Sequence, residues 1–156
     1  MTMTTCTKID RSLGRAVTPV DVLQSVFAAL NQRNIPGAVD HFARDFVFND
    51  HALDLEFSDK GRLIEFFQKS YELFPDTVVE LVSTFECGDY AIAEWKLTAT
   101  HTEKFGSITY RPPIVLRGST IVHTKNGRAL RWSDYYDQLV SWRSRLAAFF
   151  EKWIEY

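Results

Sequence analysis

Cysteine is nearly absent from this chain. Its two copies, Cys6 and Cys87, lie far apart, one in a Thr-rich terminal stretch and one at the end of a strand-like run. No disulfide framework is expected from such a pair. The two Cys and four His show no CxxC or HxxxH spacing, which removes the common zinc arrangements, so neither metal nor cofactor is expected. No apolar run approaches the roughly 20 residues that span a bilayer. Residues 1–15 are polar and lack the apolar segment of a secretory signal, which makes the cytoplasm the expected location. Charge of one sign is also scarce. The formal net charge is -2, with no basic run interleaved with aromatics, so neither nucleic acid nor an anionic membrane is implied as a partner. Internal repeats and low-complexity blocks are missing as well.

Aromatic residues, by contrast, are plentiful. Twelve Phe, six Tyr and four Trp make up 14% of 156 residues, an excess that suits a deep apolar pocket and equally a thick core. The length is that of one ordinary domain able to bury a core. Residues 1–16 read as a flexible tail, without periodicity. Thr18 followed by Pro19 predicts a helix start, with Val22, Val26, Ala29 and Leu30 as its apolar stripe and an end near Asn34. A second, shorter helix should run from Pro36 through Phe42. Phe46, Phe48 and Asp50 alternate with Val47, Asn49 and His51, which predicts a short strand. Ser58 should cap a third helix that presents Leu63, Phe66, Phe67, Tyr71 and Phe74 and ends at Pro75.

After Pro75 the chain is nearly all strand. The pattern predicts strands over 78–87 and 90–102, a loop over 103–107, and a long strand over 108–124 bent at Pro112-Pro113. Asn126-Gly127 is the strongest hairpin signal. Leu139, Trp142, Leu146, Phe149 and Trp153 mark a closing amphipathic helix, whose mixed charges favour docking over membrane anchoring. Helices first and a strand meander afterwards is an α+β pattern. The simplest packing is a cone-shaped, curved mixed sheet wrapped around the N-terminal helices, with one open apolar mouth.

The segment before that last helix carries the chemistry. In Leu130-Arg131-Trp132-Ser133-Asp134-Tyr135-Tyr136-Asp137, strand alternation puts Asp134 on the apolar face with Leu130, Trp132 and Tyr136. A carboxylate there needs either a partner, such as a Tyr or Arg at the strand end, or a task. Desolvation raises its proton affinity, which suits a general acid or base near neutral pH. His101 shares a face with Ala91, Ala93, Trp95, Leu97 and Ala99 and so points to the same apolar side; it is a proton-relay or carbonyl-orienting candidate, or equally a core His bonded to backbone. Asp50 shares a face with Phe46 and Phe48 and is a third catalytic candidate. Phe46, Phe48, Trp95, Leu97, Trp132 and Tyr136 are the expected substrate pocket.

Three segments, Phe42-Ala43-Arg44-Asp45 with Asp50 further on, Ala99-Thr100-His101-Thr102, and Gly127-Arg128 through Asp134, in this order and spacing, resemble those of the SnoaL-like polyketide cyclases, within the superfamily of nuclear transport factor and ketosteroid isomerase. Phe42-Ala43-Arg44-Asp45, with Asp50 further on, looks like the family's F-A-x-D. Ala99-Thr100-His101-Thr102 followed by Phe105 and Ile108 is similar to its A-T-H segment, and Gly127-Arg128 through Asp134 resembles its final G-K/R…W-D strand. The likeness runs from about Val20 to Leu139, and implies one SnoaL-like domain over 17–156. It implies that Asp134 stands where the cyclases carry their general acid/base, and Asp50 where ketosteroid isomerase carries its proton-shuttling Asp. The isomerase's oxyanion donors do not carry over: their positions hold Val26 and Ser119.

The resemblance therefore implies a cofactor-independent enzyme of secondary metabolism, a cyclase or isomerase acting by proton transfer on a small, apolar, oxygenated, polyketide-like molecule. Asp134 would move the proton and His101 would hold the enolate oxygen. Homodimerisation is implied too, with Tyr90, Ile92 and Tyr135 on the outer sheet face. The rivals are a non-enzymatic small-molecule-binding module of the same fold and an Asp-dependent dehydratase or epoxide hydrolase; the hydrolase needs an inward arginine, which the sequence does not clearly offer, Arg117 being the nearest candidate.

Overall fold

The computed structural model describes residues 16–100, 103–105 and 108–137. The expected N-terminal tail falls almost wholly outside the described residues, and the expected C-terminal helix and His101 lie outside them.

Helix α1 (Pro19–Asn31) begins where the sequence demands it. The Thr18 hydroxyl accepts from Asp21 N at 3.3 Å, and the Asp21 carboxylate accepts from Thr18 N at 2.9 Å. Two otherwise orphaned donors are thereby satisfied. Its stripe of Val22, Leu23, Val26, Phe27 and Leu30 is buried. Helix α2 (Ile35–Asp40) is capped by Asn34, whose side chain accepts from Gly37 N at 3.0 Å. It stops short of Phe42, contrary to the sequence expectation. Phe42 is already the first residue of strand β1 (Phe42–Asp50), because it pairs with Ala129 across a parallel ladder. Strand β2 (Leu55–Phe57) folds back on β1. Helix α3 (Lys60–Leu73) is capped by Asp59, one residue beyond the expected Ser58.

The remaining strands are β3 (Val78–Cys87), β4 (Tyr90–Thr100), β5 (Glu103–Phe105), β6 (Ile108–Tyr110), β7 (Pro113–Lys125) and β8 (Arg128–Tyr136). Among the described residues, six of the eight strands form one mixed, curved, unclosed sheet in the order β2-β1-β8-β7-β4-β3, parallel only between β1 and β8. Strands β5 and β6 pair separately, where the sequence suggested a loop and the start of a longer strand. The two prolines mark that break: β7 begins at Pro113, since Pro112 and Pro113 lack the N–H that would continue β6 into the ladder. The β7–β8 turn has Asn126 at φ 52° and Gly127 at φ 70°, the left-handed pair that a tight hairpin needs.

One side of the sheet and the helices enclose the core. Helix α1 lies across β3, β4, β7 and β8. Phe42 and Phe46 meet edge-to-face at 5.2 Å, and Phe42, Phe48 and Trp132 pack together. Each such ring contributes roughly 2–3 kcal/mol by leaving water. A bulge in β8 alters one expected face. The β7 register jumps from His123↔Arg131 to Thr124↔Ala129, so Leu130 is the extra residue. Ala129 takes the buried place and Leu130 is only half-buried. On the outer face Tyr90, Ile92, Ile121 and Tyr135 are exposed. No helix among the described residues is long and apolar enough to cross a membrane.

Candidate active site

Cross-strand register builds the site in three rows. Phe48, Trp132, Val122 and Ala91 form the first across β1, β8, β7 and β4. Asp50, Asp134, Thr120 and Ala93 form the second. Tyr136, Gly118 and Trp95 form the third. Residues two apart on a strand share a face, so the polar second row lies between two aromatic ones. Trp132, Asp134 and Tyr136 thus lie on one side, as strand alternation predicts.

The rows open into a cavity of about 370 Å³, a size ordinary for small-molecule sites. Phe66, Phe67, Ser70, Tyr71 and Phe74, from helix α3 and its C-cap, wall one side, and Trp95, Leu97, Leu116 and Ile114 wall the sheet side. Asp50, Asp134 and Tyr136 also line it. Of the six expected pocket residues, Phe48, Trp95, Leu97, Trp132 and Tyr136 are on the wall. Phe46 is not. It is 1% exposed and packs into the core against Phe42, because β1 carries it past the cavity's end.

Asp134 accepts two hydrogen bonds on one oxygen. The Thr120 hydroxyl donates to Oδ1 at 2.5 Å, and Trp132 Nε1–H donates to the same atom at 2.9 Å. Trp95 Nε1–H in turn donates to Thr120 Oγ1 at 2.9 Å, which leaves the hydroxyl proton to point at Asp134. Oδ2 has no hydrogen-bond partner among the described residues and belongs to a cavity-lining side chain. Burial pushes the Asp134 carboxyl up to about 7; the Thr120 and Trp132 bonds oppose this, and the Asp50 charge beside it adds to it. Because Oδ1 is engaged as an acceptor, the proton belongs on Oδ2.

Asp50 has a different situation. Its Oδ1 accepts from Ala52 N at 3.1 Å and Leu53 N at 2.9 Å, and its Oδ2 accepts from the Tyr136 hydroxyl at 3.0 Å. Three donors converge on it, so it holds the turn after β1 and orients Tyr136. Burial, then the Asp50 charge and the hydrogen bond to it, raise the Tyr136 phenol far above its ordinary value. Tyr136 is thus a fixed donor and not a base. The His51 ring stacks on Tyr135 at 4.4 Å, on the outer side, and its backbone N–H reaches β8 at Asp134 O.

Thr120 is the residue of the candidate site that sequence reading misses. The resemblance gives Ser119 only as a position where the isomerase's oxyanion donor is lost; Ser119 pairs with the outward Tyr135, while Thr120 is fully buried opposite Asp134. The alternation of Ile114, Leu116, Thr120, Val122 and Thr124 carries that signal. Arg117 is exposed on the other face, and no arginine is among the described residues lining the cavity. Among the described residues no group of His, Cys, Asp and Glu is assembled to hold a metal ion.

The sequence and fold have relatives. No curated protein matches the chain. Among solved structures, IdmH of Streptomyces antibioticus, described as a candidate polyketide cyclase, is 16% identical with a TM-score of 0.71, covering 81% of this chain and 96% of that one. A Catenulispora acidiphila protein with a ketosteroid isomerase-like fold, in complex with trimethylamine, is 18% identical with a TM-score of 0.68, covering 80% and 90%. An epoxide hydrolase of Mycobacterium tuberculosis is 11% identical with a TM-score of 0.68, covering 90% and 98%. At these identities the likeness is one of fold, and the fold hosts several chemistries. The sequence itself matches the family model of the SnoaL-like domain over residues 23–132, and the chain belongs to that family.

Proposed function

We propose that the protein is a cofactor-independent enzyme that moves a proton on an apolar, oxygenated substrate, by cyclisation or isomerisation of a polyketide-like carbonyl compound. The observation that carries this reading is Asp134, on the wall of an aromatic cavity, with one oxygen anchored, the other without a partner among the described residues, and a proton affinity near neutrality. A general base works best when its pKa lies near the working pH. As the carboxylate, Asp134 Oδ2 takes the proton α to the substrate carbonyl and leaves an enolate. After bond formation or a double-bond shift, the same oxygen returns the proton. Thr120 and Trp132 hold the carboxyl plane through both steps. His101 is assigned the enolate oxygen on the sequence reading alone.

Epoxide hydrolysis with two acids and an arginine is less well supported, since Arg117 faces away from the cavity. A panel of β-diketones, polyketide aromatics and ketosteroids in heavy water, read by mass spectrometry, tests the proposal. Enzyme-dependent α-deuteration is expected with wild-type protein. No exchange with any compound, together with ligand-induced thermal stabilisation, would replace the enzyme by a binding module.

A further inference from the structure

Among the described residues, the cavity wall has acids and no cationic group. Its titratable residues are Asp50 on β1, Tyr71 on α3, and Asp134 and Tyr136 on β8; α1, β3, β4 and β7 contribute none, and no described Lys, Arg or His lines it. The Asp50 carboxyl already receives three donors, and the Tyr71 hydroxyl donates to Leu30 O at 2.7 Å. The open acceptor is therefore Asp134 Oδ2. A neutral carbonyl ligand is itself an acceptor and satisfies this oxygen only in its protonated form. An ammonium group brings both a donor and a positive charge, neither of which the described residues of the wall direct at Oδ2. The surroundings favour it as well: Phe48 and Trp132 lie nearly parallel, Trp95 and Tyr136 flank the other side, and aromatic faces attract cations.

We propose that the cavity binds apolar amines as their ammonium ions, with the nitrogen against Oδ2 of Asp134 among the rings of Phe48, Trp95, Trp132 and Tyr136. The inference goes beyond the proton-transfer reading and shares its cavity and the Asp134 carboxyl, but not its reaction. Binding is coupled to pH through Asp134, which must be ionised to pair with the ammonium. An alkylamine stays protonated up to about pH 9, as a lysine does.

The probes are 1-adamantylamine and 1-adamantanol, a cation and a neutral compound of one shape, titrated calorimetrically into the full chain at pH 8.5 and 5.5. At pH 8.5 the amine should bind at least about tenfold more tightly than the alcohol, which corresponds to about 1.4 kcal/mol or more. With Asp134 titrating at about 7, only a few per cent of it is ionised at pH 5.5, so the amine should weaken about 30-fold there. The alcohol should change little. Asp134→Asn should remove the amine preference and keep alcohol binding; the wild-type pH dependence stands whether or not that variant folds. Equal affinity for the two probes at pH 8.5, amine binding indifferent to pH, or no binding of either probe would overturn the inference. Each outcome is separable from catalysis: α-deuteration without amine selectivity sinks this inference alone, and amine selectivity without α-deuteration sinks the proton-transfer reading alone.

Discussion

Replacing Asp134 by Asn should abolish α-proton exchange and, at pH 8, make the protein more stable. An amide cannot take a proton from carbon, and losing a general base costs typically 10²–10⁴-fold. The substituted side chain keeps an amide oxygen that can accept from Thr120 and Trp132, so the network that orients it survives. The stability gain follows from the carboxyl's own titration. It ionises at about 7 in the folded protein against an ordinary value of 3.8. Below pH 3.8 both states are protonated and the carboxyl costs nothing. As pH rises, the unfolded chain ionises first and is favoured, and above about 7 the full penalty applies. About three pKa units correspond to roughly 4 kcal/mol. That is an upper bound, because the half-buried side chain retains contact with the open cavity. Urea denaturation of both proteins at pH 8 and pH 4 checks this. The Asn variant should gain up to a few kcal/mol at pH 8 and nearly nothing at pH 4. A carboxylate kept for structure would show the opposite, a loss of stability at pH 8 with exchange intact.

Gly118→Ala should instead destabilise the fold, from a position that carries no chemistry. Gly118 lies opposite Trp95 on one side and Tyr136 on the other. A Cβ there would sit 2.6 Å from the Tyr135 carbonyl oxygen and collide with the far edge of the Trp95 indole. The carbonyl is backbone in a paired strand and yields only if β7 and β8 shift locally, and the indole must move as well. Overpacking of this kind costs roughly 1–3 kcal/mol. The displaced Trp95 also gives up its bond to Thr120 and leaves a buried N–H unsatisfied. The expected result is a stability loss of about 2–4 kcal/mol with a lowered exchange rate. Trp95→Phe removes the colliding ring edge. In the double variant Gly118→Ala with Trp95→Phe the two losses should fall well short of additive, as a thermodynamic cycle by denaturation would read.

Much of this arrangement is legible in the sequence because the signals are local. The Thr18-Pro19 start and the Asn126-Gly127 turn follow from the chemistry of one to four residues. The bounds of β3 follow from a run of strand formers ending at Gly88-Asp89. Asp134 is marked by its aromatic neighbours two residues away. What local reading does not supply is register. The Leu130 bulge, the early start of β1 at Phe42 and the choice of Thr120 over Ser119 are each decided by a partner strand. A slip of one residue exchanges the two faces of a strand, and only the pairing with β8 puts Thr120 beside Asp134 and Ser119 beside Tyr135. The separation of Phe46 from Phe48 is of the same kind. Both point inward, but only the cavity's position along β1 makes one of them core and the other wall.

The central claim is that Asp134 is a carboxyl poised to gain and lose a proton near neutral pH. Its direct test is a carbon-13 NMR titration of the side-chain carboxyls in Asp-labelled protein, with the Asp134 signal identified by its disappearance in Asp134→Asn. The account predicts a midpoint near 7. A midpoint at or below the ordinary value of 3.8 would contradict it, because a carboxyl that acidic is held for structure and is a poor base.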